Sequence, residues 1–218
     1  MPASRTPETS QTGLHLRLDE VVRRHLDSIW RQPLRSHSVQ AFEAVHPRLR
    51  AATTLVLDSG CGTGESTARL ARRHPEALVV GVDKSGARLE RAPELPDNAL
   101  LVRAELADFW RLLRQHGLCP LHHYLLYPNP WPMPDHLMRR WHGHPVFPGL
   151  LALGGALELR TNFELYVYEF ARALDVAGVV DAEVVSLWAD EPVSPFERKY
   201  MASGQRLWKL TVNLGAGK

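Results

Sequence analysis

The sequence predicts an α/β fold: a mostly parallel, seven-stranded sheet with helices on both faces and an antiparallel hairpin at the C-terminal end. Three observations carry this. The first is the stretch Leu55-Val56-Leu57-Asp58-Ser59-Gly60-Cys61-Gly62-Thr63-Gly64-Glu65-Ser66-Thr67. Its apolar run from Thr54 to Leu57 reads as a buried parallel strand, which passes through an acid into alternate glycines and the start of a helix. The second is the recurrence of strand then helix along the chain, the pattern of a parallel sheet. The third is a late pair of alternating segments, Glu183 to Trp188 and Arg206 to Val212, which read as antiparallel strands. Their connection, Ala189 to Gly204, is too long to be idle.

The elements follow in order. Residues 1–12 are rich in Ser, Thr, Pro and Gln and read as disordered, so a tail over 1–14 is expected before a single domain over 15–218. Within it, 15–50 should hold two capping helices. Leu18 to Ile29 has Val21, Val22, Leu26 and Ile29 on one face, Gln32-Pro33 interrupts, and Val39 to Leu49 is the second helix. A strand from Leu78 to Val82 ends in Asp83. Leu100 to Val102 is a third strand and leads to Glu105. A helix from Asp108 to His116 precedes a fourth strand, His123 to Tyr127. Another helix ends over Leu151 to Gly155, and Ala156 to Leu159 is the fifth strand. The helix from Asn162 to Ala177 stops at Gly178.

With 218 residues and 44% hydrophobic content, one sizeable core is the simplest arrangement. A formal charge of +2 permits nucleic-acid binding only through a local patch. The two cysteines, Cys61 and Cys119, have no metal-type spacing, which suits a reduced, cytoplasmic setting. No apolar run reaches membrane length and no signal peptide leads the chain, so no membrane association is expected. His136, His142 and His144 lack carboxylate or thiolate support, so they read as loop packing and no metal is expected. His122 and His123 flank a buried strand and read as structural. Trp110, Trp141, Trp188 and Trp208 read as core or interface.

Spacing decides the ligand of the glycine turn. The pattern is Gly60-x-Gly62-x-Gly64, whereas a dinucleotide fingerprint would place its third glycine where Glu65 stands. The loop resembles motif I of class I S-adenosylmethionine (SAM)-dependent methyltransferases. Asp83 lies about 20 residues further on, where a ribose-binding carboxylate is expected. An ionised carboxylate only accepts, which suits two ribose hydroxyl donors.

A second constellation follows the fourth strand: Tyr127-Pro128-Asn129-Pro130-Trp131-Pro132-Met133-Pro134-Asp135-His136-Leu137-Met138-Arg139-Arg140. So many prolines after a strand tip make a rigid, extended loop. Trp131 offers a stacking face for a base. His136, Arg139 and Arg140 fall in the first turns of an expected helix, within reach of phosphate or base.

These residues carry a resemblance to the tRNA (guanine-N7)-methyltransferase family, running from about Leu55 to Leu210. The family's Pro-Asp-Pro-Trp loop, with its later His, Arg-Arg and aromatic, is matched by Pro128-Asn129-Pro130-Trp131, His136, Arg139-Arg140 and Phe147. Its Thr-Asp and following Tyr are matched by Thr161-Asn162 and Tyr166. Its Thr-x-Phe-Glu, basic residue and Gly are matched by Ser194-Pro195-Phe196-Glu197, Arg198-Lys199 and Gly204. The resemblance implies a Rossmann-like methyltransferase using SAM, with tRNA as its partner. It implies cofactor contacts from Asp58, Gly60, Gly62, Gly64, Asp83, Glu105 and Asn129. It implies substrate contacts from Trp131, His136, Arg139, Asn162, Ser194 and Glu197, of which His136 and Arg139, with Asn129, form the expected catalytic set. Guanine N7 has a free lone pair, so these groups would orient rather than move protons.

Four departures bear on the target: two family aspartates are Asn129 and Asn162, the loop lysine is Met133, and the family's basic N-terminal segment has no clear counterpart. Two other readings therefore stay open. Asn129-Pro130-Trp131 is similar to the Asn-Pro-Pro-aromatic loop of amino-methyltransferases, without its second proline. A SAM-binding subunit without turnover is the other. Oligomeric state and any need for a partner subunit are not encoded in these motifs.

Overall fold

A computed structural model describes residues 4–188 and 191–217. Its strands are β1 (Leu55–Ser59), β2 (Leu78–Asp83), β3 (Ala99–Arg103), β4 (His122–Leu126), β5 (Ala156–Thr161), β6 (Glu183–Leu187) and β7 (Leu207–Asn213). Its helices are α1 (Leu18–Leu26), α2 (Ser36–Ala51), α3 (Glu65–Arg73), α4 (Gly86–Leu89), α5 (Leu106–Gln115), α6 (Phe147–Leu151), α7 (Glu164–Val176) and α8 (Pro195–Ala202). The seven strands form one sheet in the order β3-β2-β1-β4-β5-β7-β6. β1 to β5 run parallel to one another, and β7 is antiparallel to both β5 and β6. The order reverses between β1 and β4, the switch point of a doubly wound sheet, where loops at the carboxyl ends diverge and leave a crevice.

Strand alternation splits the core in two. Leu57, Val80, Leu125 and Leu159 face one layer with Phe42, Phe109, Trp110, Phe147 and Phe170, from α2, α5, α6 and α7. Val56, Val79 and Leu126 face the other with Leu70, Ala71 and Val193, and Tyr200 and Met201 of α8 pack on it. A strand buried on both faces has no polar side to show, and the burial of every residue of β1 is the physical reason that it reads as an apolar run.

Several bounds shift from those expected. α1 stops at Leu26, and Ile29 beyond it is 79% exposed. β1 runs through Asp58 and Ser59, because their polar side chains find partners inside. The residues after the proline loop form no α-helix. They wind as a 3-10 helix over Pro134–Arg139, and Arg140 is extended before a second 3-10 turn at Trp141–Gly143. Pro134 opens the first of these turns, at a position where its missing N–H costs nothing. Residues 4–14 hold no helix or strand, yet Ser4 N–H donates to Ser203 Oγ at 3.0 Å and Thr9 Oγ1 donates to Pro132 O at 2.6 Å. Among the described residues, no helix is long and apolar enough to cross a membrane.

Candidate active site

The glycine turn sits at the carboxyl end of β1. Gly60, Gly62 and Gly64 have φ of +81°, +61° and +77°, a region that costs other residues strain. The Gly60 and Cys61 N–H groups donate to Val82 O at 2.8 and 3.1 Å, stitching the turn to β2. Asp83 completes it: Oδ2 accepts from Gly62 N–H at 3.0 Å and Oδ1 from Ser85 N–H at 2.8 Å. Arg88 lies 3.7 Å from the same carboxylate. The acid expected to hold a ribose therefore also shapes the loop. An ionised carboxylate has about four acceptor directions, so capacity remains for hydroxyl donors.

Asp58 lies fully inside. Its Oδ2 accepts from Ser66 Oγ at 2.6 Å and Thr67 Oγ1 at 2.7 Å, tying the first turn of α3 to β1. Its Oδ1 is buried without a partner. Burial raises its carboxyl to about 6, against the pull of the two hydroxyls. Glu105 is the half-buried N-terminal cap residue of α5, and its N–H donates to Ser38 Oγ at 3.2 Å.

The proline loop leaves β4, the strand beside β1. Tyr127 and Trp131 hold left-handed φ of +52° and +46°, unusual for such side chains. Asn129 is exposed, and its Oδ1 accepts from Trp131 N–H at 3.3 Å. The Arg139 guanidinium lies 4.8 Å from the Trp131 ring centre, a cation-π distance. The His136 ring meets Trp131 edge-on at 5.4 Å. Trp131, His136 and Arg139 thus come together as expected, with Asn129 joined to them through the Trp131 backbone. One face of the expected stacking platform already carries a guanidinium.

Arg140 does not join them. It is fully buried; Nε donates to Trp131 O at 3.0 Å, Nη2 to Met133 O at 3.1 Å, and Nη1 pairs with Glu169. It cannot meet a phosphate, contrary to the expectation for adjacent arginines. The three histidines also separate: His136 goes to Trp131, His142 donates from Nε2 to Glu169 Oε2 at 3.0 Å, and His144 packs against Trp30 and Trp141.

The connection between β6 and β7 carries α8 back over the glycine turn. Ser194 caps α8, its Oγ accepting from Glu197 N–H at 3.2 Å, the usual role of Ser at that position. Glu197 is fully buried, and its Oε1 accepts from Arg160 Nη1 at 2.8 Å. Asn162 donates to Gln205 Oε1 at 2.8 Å. These three expected substrate residues are thus engaged within the chain. Gly60, Gly62, Ser66, Leu126, Ser194 and Phe196 share a cavity of about 120 Å³, with Arg88 and Arg91 at its wall. The two arginines are pocket residues that sequence reasoning missed, and Phe196 stood in a motif there without a role of its own. The signal was there for the arginines, which follow Asp83 closely. A larger groove of about 380 Å³, lined by Thr54, Leu78 and Asn98, lies at the opposite, amino edge of the strands.

A family model described as a methyltransferase domain matches residues 56–118, from β1 past α5. The tRNA (guanine-N(7)-)-methyltransferase of Anaeromyxobacter dehalogenans is 33% identical over 181 residues, covering 72% of this chain and 84% of that protein. The chain belongs to the tRNA (guanine-N7)-methyltransferase family. Its relative from Nocardioides is 30% identical over 166 residues, and this chain spans 66% of that protein's length. Among solved structures, a 16S rRNA (adenine(1408)-N(1))-methyltransferase from Catenulisporales acidiphilia superposes with a TM-score of 0.58 at 22% identity. That match covers 81% of this chain and 91% of the other, and carries the fold: a Rossmann-like methyltransferase domain. The two asparagines that depart from the pattern expected by resemblance, Asn129 and Asn162, already have partners inside the chain, one through its carbonyl and the other through its amide group.

Proposed function

We propose that this chain transfers the methyl group of SAM to N7 of a guanine in tRNA, in a cytoplasmic setting. The observation that carries the reading is that the glycine turn and the proline loop leave two adjacent parallel strands, β1 and β4, at the same edge of the sheet. A cofactor at one and a base at the other would meet in the crevice.

The residues fit SAM. An added Cβ at Gly62 would meet nothing within 4 Å, so the backbone there is open to a ligand. Asp83, facing this turn, is the acceptor for ribose hydroxyls, and the unpartnered Asp58 Oδ1 is a second acceptor beneath it. SAM, when bound, supplies a methyl group on a sulfonium. Guanine N7 offers its own lone pair, so no side chain has to remove a proton. The work left to the chain is alignment and exclusion of water. Trp131, His136 and Arg139 hold the nucleotide, the base stacking on the free indole face or on the guanidinium. The exposed amide of Asn129 reads the base edge with donors as well as an acceptor. Ser194 and Glu197 act here by fixing α8, whose Phe196 walls the cofactor cavity. Asn162 and Gln205 tie the start of α7 to the start of β7.

The test is mass spectrometry of nucleosides after incubating the purified chain with SAM and unmodified tRNA. The expected product is 7-methylguanosine. A methyl group on another base, or none, overturns the assignment of N7.

A further inference from the structure

We propose that the segment Thr9–His15 is a strap that positions the proline loop, acting through the buried pair Arg140 and Glu169. That the loop serves substrate rests on the function proposed above; that the strap holds it does not.

The contacts form one chain. Arg140 Nε and Nη2 donate to the carbonyls of Trp131, Pro132 and Met133 at 3.0, 3.4 and 3.1 Å, so one guanidinium grips three successive loop residues. Its Nη1 pairs with Glu169 Oε2. The strap closes both ends of this pair. Gln11 Oε1 accepts from Arg140 Nη2 at 2.6 Å, while Gln11 Nε2 donates to Glu169 Oε1 at 3.0 Å. His15 N–H donates to the same Oε1 at 3.0 Å. Thr9 Oγ1 reaches the loop directly, donating to Pro132 O at 2.6 Å. Arg140, His142 and Glu169 have no exposed surface, so every bond removed leaves a buried charged group short of a partner.

The loop needs such a grip. Trp131 sits at a φ of +46°, a conformation that persists only where its surroundings over-determine it. It also carries Arg139 and His136. The strap therefore controls the placement of all three through the backbone, without touching them. Gln11, Thr9, Arg140 and Glu169 are positioning residues in this sense.

Full-length Gln11→Ala and Thr9→Val test this, with Glu169→Gln as a third variant that a folding defect would disqualify. Amide hydrogen exchange is read separately over 129–139 and over the glycine turn, 58–66. Each substitution should speed exchange in the proline loop by about tenfold, the effect of one hydrogen bond of this kind, and leave the glycine turn unchanged. Thr9→Ser, which keeps the hydroxyl, should restore slow exchange. In parallel, Gln11→Ala should lower kcat/KM for tRNA by about tenfold while calorimetry with S-adenosylhomocysteine stays at the wild-type affinity. Unchanged loop exchange in both strap variants overturns the strap, whereas faster exchange with unaltered kcat/KM upholds the strap and overturns the loop's part in serving substrate. A wild-type chain that makes no 7-methylguanosine overturns the proposed function instead, and the exchange result still decides the strap.

Discussion

Asp58 and Glu169 are both buried carboxylates, and their surroundings push them in opposite directions. Asp58 has two hydroxyl donors and no cation, so burial wins and its carboxyl rises to about 6. Burial acts on Glu169 in the same sense, but the bonds and charges of His142 and Arg140 outweigh it and hold the carboxyl at about 2. The Asp58 proton is bound more tightly in the native than in the unfolded chain, so its contribution is full below the ordinary Asp range and is lost as pH rises through about 6. Glu169 is the reverse: its contribution stands above the ordinary Glu range and is lost as pH falls towards about 2. We predict that between about pH 5 and pH 7.5 the wild-type chain loses about 1.4 kcal/mol through Asp58, one pKa unit's worth. Asp58→Asn should remove that dependence, read as the change in urea midpoint between the two pH values. An identical change in both proteins would contradict the assignment. Legibility at this scale was uneven. Asp83 was readable because its partner, Gly62 N–H, lies in a local motif of fixed spacing. Arg139 and Arg140 were not separable, because what buries Arg140 is Glu169 on a helix far along the chain.

At the scale of elements, the centres of β1 to β5 were legible from apolar runs and those of β6 and β7 from alternation, while the end of β1 was not. Asp58 and Ser59 belong to β1 only because α3 brings Ser66 and Thr67 to one of them and α5 brings Trp110 Nε1 to the other at 3.0 Å. The same packing explains a glycine that drew no notice in the sequence. Gly81 lies in the middle of β2, with ordinary φ, and an added Cβ would strike Thr67 Oγ1 and Leu101. Glycine in a strand often marks such a close approach. Gly81→Ala should therefore force Thr67 away from Asp58 and separate α3 from the sheet, destabilising the fold by about 1–3 kcal/mol. Urea unfolding followed by circular dichroism measures this. A midpoint equal to wild type would mean that α3 shifts freely and does not hold the glycine turn in place.

For the whole molecule, the α/β class and the closing hairpin followed from periodicity and connection lengths. The course of the proline loop was not legible, because 3-10 turns and a buried arginine depend on α7 and on residues 9–15. That course decides which cations are open to the phosphates of the proposed tRNA substrate. Net charge is only +2, so attraction must be local. With Arg140 inside, the exposed cations of the proline loop and α8 are Arg139, Arg198 and Lys199. Arg198 is already paired with Glu65, which draws α8 onto the glycine turn. Each phosphate contact contributes about −0.9 to the slope of log K against log salt on a duplex. Contacts from the other two, Arg139 and Lys199, predict a slope of about −2 for tRNA binding, read by fluorescence anisotropy at several salt concentrations. Arg139→Ala should make the slope shallower by about 1. Glu65→Gln frees Arg198 and should leave the slope as steep or steeper. A wild-type slope near zero would rule out phosphate as what these cations meet. A slope unmoved by Arg139→Ala would leave Arg139 to the Trp131 ring alone.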